Sequence, residues 1–334
     1  MARIAIVGEA WSRHDEETGR PFSGPSGRIL NGLLRQVGIN RDECLLTSVF
    51  NFRPPSSDIE ALCGPRATAI PDYNFIRPGK YIRAEFAEEI ARLFSELESF
   101  SPTLILALGN LPLWAICKKT GIKKYRGTPL LSHNGKWKVL PTWPPAALGR
   151  QWNLRPIAYA DFSKAVRQAA FPEVVRPRRE IWIEPSLRDI EDFYDQHIRG
   201  CTELSVDIET SHGQITEIGF APSRSLALVI PFYSRSAPRG NYWPSAAEEK
   251  SAWLWVKRIL AEKPCFGQNF LYDMDYLWKT MGITCPKQSD DTMLLHHALQ
   301  PELEKGLGFL GSIYTDEPSW KFMRADNETL KKED

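Results

Sequence analysis

From Phe171 to Ser186 the chain reads FPEVVRPRREIWIEPS, with prolines at 172, 177 and 185 and arginines at 176, 178 and 179. Proline fixes φ, lacks a backbone N–H and pushes the residue before it out of the helical region. So dense a stretch reads as extended chain. It divides the 334 residues into two halves, each long enough to bury a core of its own. The expected organisation is a domain over 1–172, a linker over 173–185 and a second domain over 186–334. The arginine trio has the charge to meet a phosphate backbone, although a solvated linker face is the commoner role of such a run.

Hydrophobic residues at 43% and charged residues at 25% are ordinary for a globular chain. A net charge of +1 gives no overall basic field, so any nucleic-acid site has to be local or carried by metal ions. No apolar run approaches the roughly 20 residues that a membrane helix needs. The six cysteines contain no Cys-x-x-Cys pair and read as reduced thiols. No membrane partner is expected, and the expected location is the cytoplasm of a bacterial or phage-infected cell.

The first half alternates strand and helix. Arg3 to Val7, Cys44 to Phe50, Thr103 to Gly109 and Lys138 to Pro141 are strand candidates. Gly27 to Val37, Tyr81 to Phe100, Leu111 to Lys119 and Phe162 to Ala170 are helix candidates. Such alternation argues for a mostly parallel sheet covered on both faces. The second half opens differently. Leu204 to Ile208, Ile215 to Ala221 and Ser225 to Phe232 follow one another through short turns, as a meander does. A helix over Ser245 to Glu262, a strand over Pro264 to Gln268 and a helix over Phe270 to Met281 complete a mixed α/β unit.

Two sets of residues carry chemistry. Asp207 and Glu209 end an apolar run, and Asn269 and Asp273 stand at the start of a helix. Acids two apart on a strand share a face, and hard divalent ions want carboxylate oxygens. Asp207, Glu209 and Asp273 are therefore candidate metal ligands for phosphodiester hydrolysis, with two ions roughly 4 Å apart activating water and neutralising the leaving oxygen. Asp290 and Asp291 are expected to cap the next helix, and His296 and His297 to be partly buried helix residues. The order Asp-x-Glu, then Asn-x-x-x-Asp, then DTML at Asp291 to Leu294 and LGFLGSIYTDEPSWK at Leu307 to Lys321 resembles the proofreading 3′→5′ exonuclease domain of family A DNA polymerases. That resemblance implies a ribonuclease H-like mixed sheet and Mg²⁺ or Mn²⁺ held by Asp207, Glu209 and Asp273. It also implies Asn269 in contact with DNA, single-stranded 3′ ends as substrate and a polymerase domain downstream. The family's third motif is expected past residue 330, and the sequence stops at Asp334 without it. The second domain therefore reads as an incomplete exonuclease.

In the first half, Gly8-Glu9-Ala10 follows a strand, and GRPFSGPSG at Gly19 to Gly27 leads into a helix. Small residues let a ligand approach backbone at a helix N-terminus. With Thr47 to Pro55 (TSVFNFRPP), Leu106 to Asn110 (LALGN) and Leu140 to Pro145 (LPTWPP), the order resembles the uracil-DNA glycosylase superfamily, its family 4 branch and polymerase-fused phage relatives. The resemblance implies a three-layer α/β/α fold that admits a flipped base. It gives Phe22 as the aromatic that stacks on the base and Gly8 and Glu9 as the first motif. Ser48 stands where the family has a base-reading Asn, and Pro144 where it has a His. The cysteine pattern predicts no iron–sulfur cluster. The expected function is a DNA-processing protein with a metal-dependent 3′→5′ exonuclease and a glycosylase-like domain. The alternative is a catalytically degenerate DNA-binding module.

Overall fold

The computed structural model describes residues 2–237 and 240–317. It falls into two compact units, one running to Val175 and resuming at Gly308, the other Arg176–Leu307. The stretch near residue 330, where the third acidic motif is expected, lies outside the described residues.

The first unit begins with β1 (Ile4–Ala10), α1 (Arg13–Thr18) and α2 (Pro25–Val37), followed by β2 (Leu45–Phe50). A two-stranded ribbon, β3 (Cys63–Gly64) and β4 (Tyr81–Ile82), precedes α3 (Ala87–Phe100). Then come β5 (Leu104–Leu108), α4 (Asn110–Cys117), α5 (Ile122–Tyr125), β6 (Leu130–Leu131), β7 (Lys138–Thr142), α6 (Pro145–Arg150) and α7 (Arg155–Gln168). The sheet order is β2-β1-β5-β7-β6, parallel except for the short edge strand β6. Alternation along each strand feeds two layers. Ala5, Val7, Ile105, Ala107 and Val139 pack with Ile90 and Leu93 of α3 and Leu111 and Leu113 of α4. Ile6, Leu106 and Leu140, on the opposite face, are buried, as are Leu30, Leu148, Ile157 and Phe162 of α2, α6 and α7. This is the three-layer α/β/α arrangement.

One helix is shorter than its periodicity suggests. The pattern from Tyr81 gives way to the β3–β4 ribbon, and α3 starts only at Ala87. Pairing with a strand about twenty residues away takes the first six positions out of the helix.

The second unit opens with β8 (Glu180–Trp182) and α8 (Leu187–Phe193), followed by the meander β9 (Leu204–Ser211), β10 (Gln214–Ser223) and β11 (Leu226–Pro231). After α9 (Ala246–Glu262) come β12 (Cys265–Gly267), α10 (Phe270–Met281), β13 (Gln288–Asp291) and α11 (Thr292–Leu299). The order is β13-β12-β9-β10-β11-β8, with β12 and β13 parallel to β9 and β10 antiparallel to it. An antiparallel meander extended on its first strand by parallel strands is the ribonuclease H-like mixed sheet. Glu180–Trp182, inside the proline-dense stretch, is extended as its composition predicts. It adds a parallel edge strand to β11.

The last described helix, α12 (Leu307–Tyr314), leads into a buried polar knot of the first unit. Arg126 Nε and Nη2 donate to Asp161 at 3.0 and 2.5 Å, and Thr142 Oγ1 donates to the same carboxylate at 2.6 Å. Lys164 Nζ donates to the carbonyls of Gly127, Ser312 and Thr315 at 2.6, 2.7 and 2.6 Å. Gly127 has φ +70°, and a Cβ there would stand 2.7 Å from both Asp161 Oδ1 and the Ser312 carbonyl. Only glycine allows the approach. Arg126, which follows lysines 118, 119, 123 and 124 in the sequence, is thus a core residue, 3% exposed.

Candidate functional site

The candidate site of the first unit lies at the carboxyl edge of its sheet, where β1 has β2 on one side and β5 on the other. Ligands of open α/β sheets enter at such a reversal of strand order. Glu9, the last residue but one of β1, lies beside the start of α4, and the Leu111 N–H donates to its Oε1 at 3.4 Å. Gly109, at φ +110°, leaves room for that carboxylate; a Cβ would lie 2.6 Å from Oε1. Burial pushes the Glu9 carboxyl up, while the N–H groups of Leu111 and Asn110 and the charges of Arg77 and Arg150 pull against it.

The loop after α1 is built from an acid that the sequence reading passed over. Asp15 accepts from the Ser12 N–H and Oγ at 2.8 and 2.7 Å and from the Ser23 N–H and Oγ at 2.7 and 2.9 Å. Burial alone would raise the Asp15 carboxyl, but these donors outweigh it and hold it below its ordinary range. The clue was Ser12-x-x-Asp15, a variant of the capping box. Arg41 Nη2 donates to the carbonyls of Pro21 and Phe22 at 3.4 and 3.3 Å, and Phe22 sits at φ +57°. A Cβ on Gly27 would be 1.8 Å from the Phe22 carbonyl, so glycine alone permits this loop. A Cβ on Gly8 would be 2.6 Å from Phe22 Cζ and 3.1 Å from Ser48 Oγ. Gly8, Phe22 and Ser48 therefore converge on one spot. Ser48 is 3% exposed, its N–H donates to Asn51 Oδ1 at 3.3 Å, and Arg92 holds its carbonyl at 2.8 Å. Pro144 lies two residues beyond the end of β7, at the same edge, as the N-cap of α6.

In the second unit, Val206 and Ile208 of β9 enter the core while Asp207 and Glu209 project from the other face. Directly opposite residues of an antiparallel pair share a face. Gly219 stands opposite Asp207 and leaves space over it, and Glu217 stands opposite Glu209. That extra carboxylate depends on strand register, which local sequence does not carry. Asp273, one turn into α10, accepts the Ile208 N–H on Oδ1 at 2.8 Å, between the two acids of β9. Asp291 pins the start of α10. Its Oδ1 accepts from Asn269 N at 3.0 Å and from Met293 N at 2.8 Å, and its Oδ2 from Phe270 N at 2.8 Å. It is thus the expected helix cap and also a clamp on the Asn269 turn, where φ is +56°. His296 is buried on α11 and His297 is exposed.

Asp273 is 4% exposed. Burial, then the charges of Asp207 and Asp291, push its carboxyl up to about 6 from 3.8, against the pull of the Ile208 N–H. The folded state therefore holds the proton more tightly than the unfolded chain. This group's contribution to stability is full below about pH 4 and is lost as pH rises through about 6. Asp273→Asn is expected to stabilise the chain by about 2–3 kcal/mol at pH 7.5 and by nearly nothing at pH 4. Urea unfolding at the two pH values measures the difference. An equal effect at both would disprove the repulsion.

Hard carboxylate oxygens in mutual repulsion suit a divalent cation. Among the described residues, however, no group of three His, Cys, Asp or Glu side chains is arranged to hold one. Asp207 and Asp273 are near enough for the charge of one to raise the carboxyl of the other. Among the same residues no helix is long and apolar enough to cross a membrane.

The family model described as "Uracil DNA glycosylase superfamily" matches residues 1–170, and the chain belongs to that superfamily. A type-4 uracil-DNA glycosylase of Thermotoga maritima is 33% identical over 172 residues, covering 49% of this chain and 76% of the relative. A DNA polymerase of Bacillus phage SP01 is 22% identical over 330 residues, covering 88% of this chain and 32% of that protein. Among solved structures, Escherichia coli RNase D, an exoribonuclease involved in structured RNA processing, is similar with a TM-score of 0.31 and 14% identity, over 42% of this chain and 34% of its own. The chain thus spans about a third of the length of the phage polymerase and of RNase D.

Proposed function

We propose that this chain is a DNA-processing protein. In this reading its second unit trims single-stranded 3′ ends, and its first unit holds a nucleobase without efficient excision. The similarity to a DNA polymerase over 88% of the chain favours a role in DNA processing. The observation that supports the nuclease reading is the Asp273 carboxyl on the Ile208 N–H at 2.8 Å, the backbone position between Asp207 and Glu209. Asp207, Glu209 and Asp273 would hold Mg²⁺ or Mn²⁺, whose chemistry there is to generate a hydroxide nucleophile and neutralise the leaving oxygen. Asp273 orients itself through the Ile208 N–H, Asp207 adds charge under the gap left by Gly219, and Asn269 fixes the turn that aims α10 at the strand.

A second reading, a DNA-binding module without catalysis, draws support from the arrangement of the acids: among the described residues no three His, Cys, Asp or Glu side chains are grouped to hold a metal ion. Incubation of the whole chain with Mn²⁺ and a 3′-labelled single strand separates the two. Shortening is expected, and Asp207→Ala is expected to reduce it by at least the roughly 10–100-fold typical of losing even an outer-shell metal partner. No shortening by the unsubstituted chain, together with no carboxylate-dependent Mn²⁺ uptake in calorimetry, would leave the non-catalytic reading standing.

A further inference from the structure

We propose that the groove between α2, α6 and α7 is a track for single-stranded nucleic acid, with Trp152 as its stacking platform and Arg28 and Arg155 as its phosphate contacts. The groove encloses about 1020 Å³, and Arg28, Ile29, Leu148, Trp152, Arg155 and Tyr159 are among the residues that line it. Such a volume exceeds what one base needs and suits a run of nucleotides.

Three observations select this occupant. Trp152 is 72% exposed and Tyr159 47% exposed, so two large aromatic surfaces of the lining face water. Exposed apolar surface of this kind marks a binding face. The Arg155 guanidinium lies 3.8 Å from the Trp152 ring centroid and holds the indole in place with a cationic partner beside it. The described lining includes two arginines and no acidic residue, in a chain whose net charge is only +1. Apolar floor, aromatic platforms and unopposed guanidinium charge are the elements with which proteins hold single strands without reading sequence. An apolar peptide would leave both arginines without a matching charge. The groove is also continuous in chain with the base site. Its wall α2 begins at Pro25, three residues after Phe22, and α6 begins at Pro145, directly after Pro144.

The inference rests on the reading that the chain handles DNA, and the experiment keeps the two apart. The whole chain, in EDTA to prevent hydrolysis, is titrated against a 5′-fluorescein oligothymidylate and followed by anisotropy. Trp152→Ala is expected to weaken binding roughly 5- to 100-fold, with Trp152→Phe restoring most of it. Arg28→Gln is expected to lower the slope of log affinity against log salt by about 0.7, the value for one phosphate contact on a single strand. Because Trp152 is exposed, circular dichroism of the variant is expected to match the parent. Binding by the parent with no change in Trp152→Ala overturns the groove alone, the outcome expected if a peptide occupies it. No binding by the parent sinks the DNA reading and the groove with it.

Discussion

Replacing Asp161 with alanine is expected to cost the first unit about 3–5 kcal/mol, the range measured when one partner of a buried ion pair is removed. Asp161 is fully buried and Arg126 is 3% exposed, so the guanidinium cannot find water when its partner goes. Thr142 Oγ1 loses its acceptor in the same step. Lys164 suffers as well. Burial already pushes its ammonium down to about 8, opposed first by the charge of Asp161 and then by that of Asp316. Without Asp161 it has less reason to stay charged while bonded to three carbonyls. Two of those carbonyls, Ser312 and Thr315, belong to the segment that closes onto this unit from far along the chain. The loss is therefore expected to loosen that segment too, as faster amide exchange over residues 308–317. Urea unfolding followed by tryptophan fluorescence measures the stability change. A cost below about 1 kcal/mol would show that Arg126 finds another partner and that the knot is dispensable. Asp161→Asn, which still accepts from Thr142 but leaves Arg126 uncompensated, is expected to recover only part of the loss.

This knot also marks where the sequence stops being informative. Helix and strand signals are local. Asn269 followed by an apolar-periodic stretch placed α10 over Phe270–Met281 without error, because an Asn turn and a 3.6-residue period are written in consecutive residues. The meander was legible for the same reason: three short runs of alternating residues with turns between them. Arg126 was not, because its fate is set by Asp161, 35 positions away, and by Ser312, 186 away. Its near neighbours in sequence are lysines 118, 119, 123 and 124, which give no local sign of burial. Glu217 was not, because its place opposite Glu209 depends on strand register. Asp15 was partly legible. Ser12-x-x-Asp15 announces a capped helix, but the second half of its work, holding Ser23 beside Phe22, needs the loop to fold back. The motifs thus name acids and an aromatic as candidates, and the partners that hold them come from long-range contacts.

Uracil release is expected to rise about 10²–10³-fold in Pro144→His, the change associated with adding or removing one preorganised donor at a developing charge. In the proposed reading, Gly8, Phe22 and Ser48 of the first unit would hold the base. Phe22 is fixed over Gly8 by the Asp15 and Arg41 bonds to its loop, and Ser48 stands at the same spot. In the same reading, the position just past the end of β7 would supply a donor to the departing base, and Pro144 there has neither an N–H nor a polar side chain. The substitution suits the backbone. Pro144 lies at φ −69°, ψ 142°, the extended region that a residue preceding a proline favours, and Pro145 follows it. Pro144 is half-buried as the N-cap of α6 and makes no side-chain cap bond that a histidine would break. The Thr142–Asp161 bond two residues upstream anchors the strand end from which the imidazole would project. The assay is release of free uracil from a single strand bearing one uracil, parent against variant, with the parent expected near background. If the parent already excises at a rate that histidine does not improve, charge on the leaving base is stabilised by another group, and the arginines whose fields reach Glu9, Arg77 and Arg150, become the residues to test.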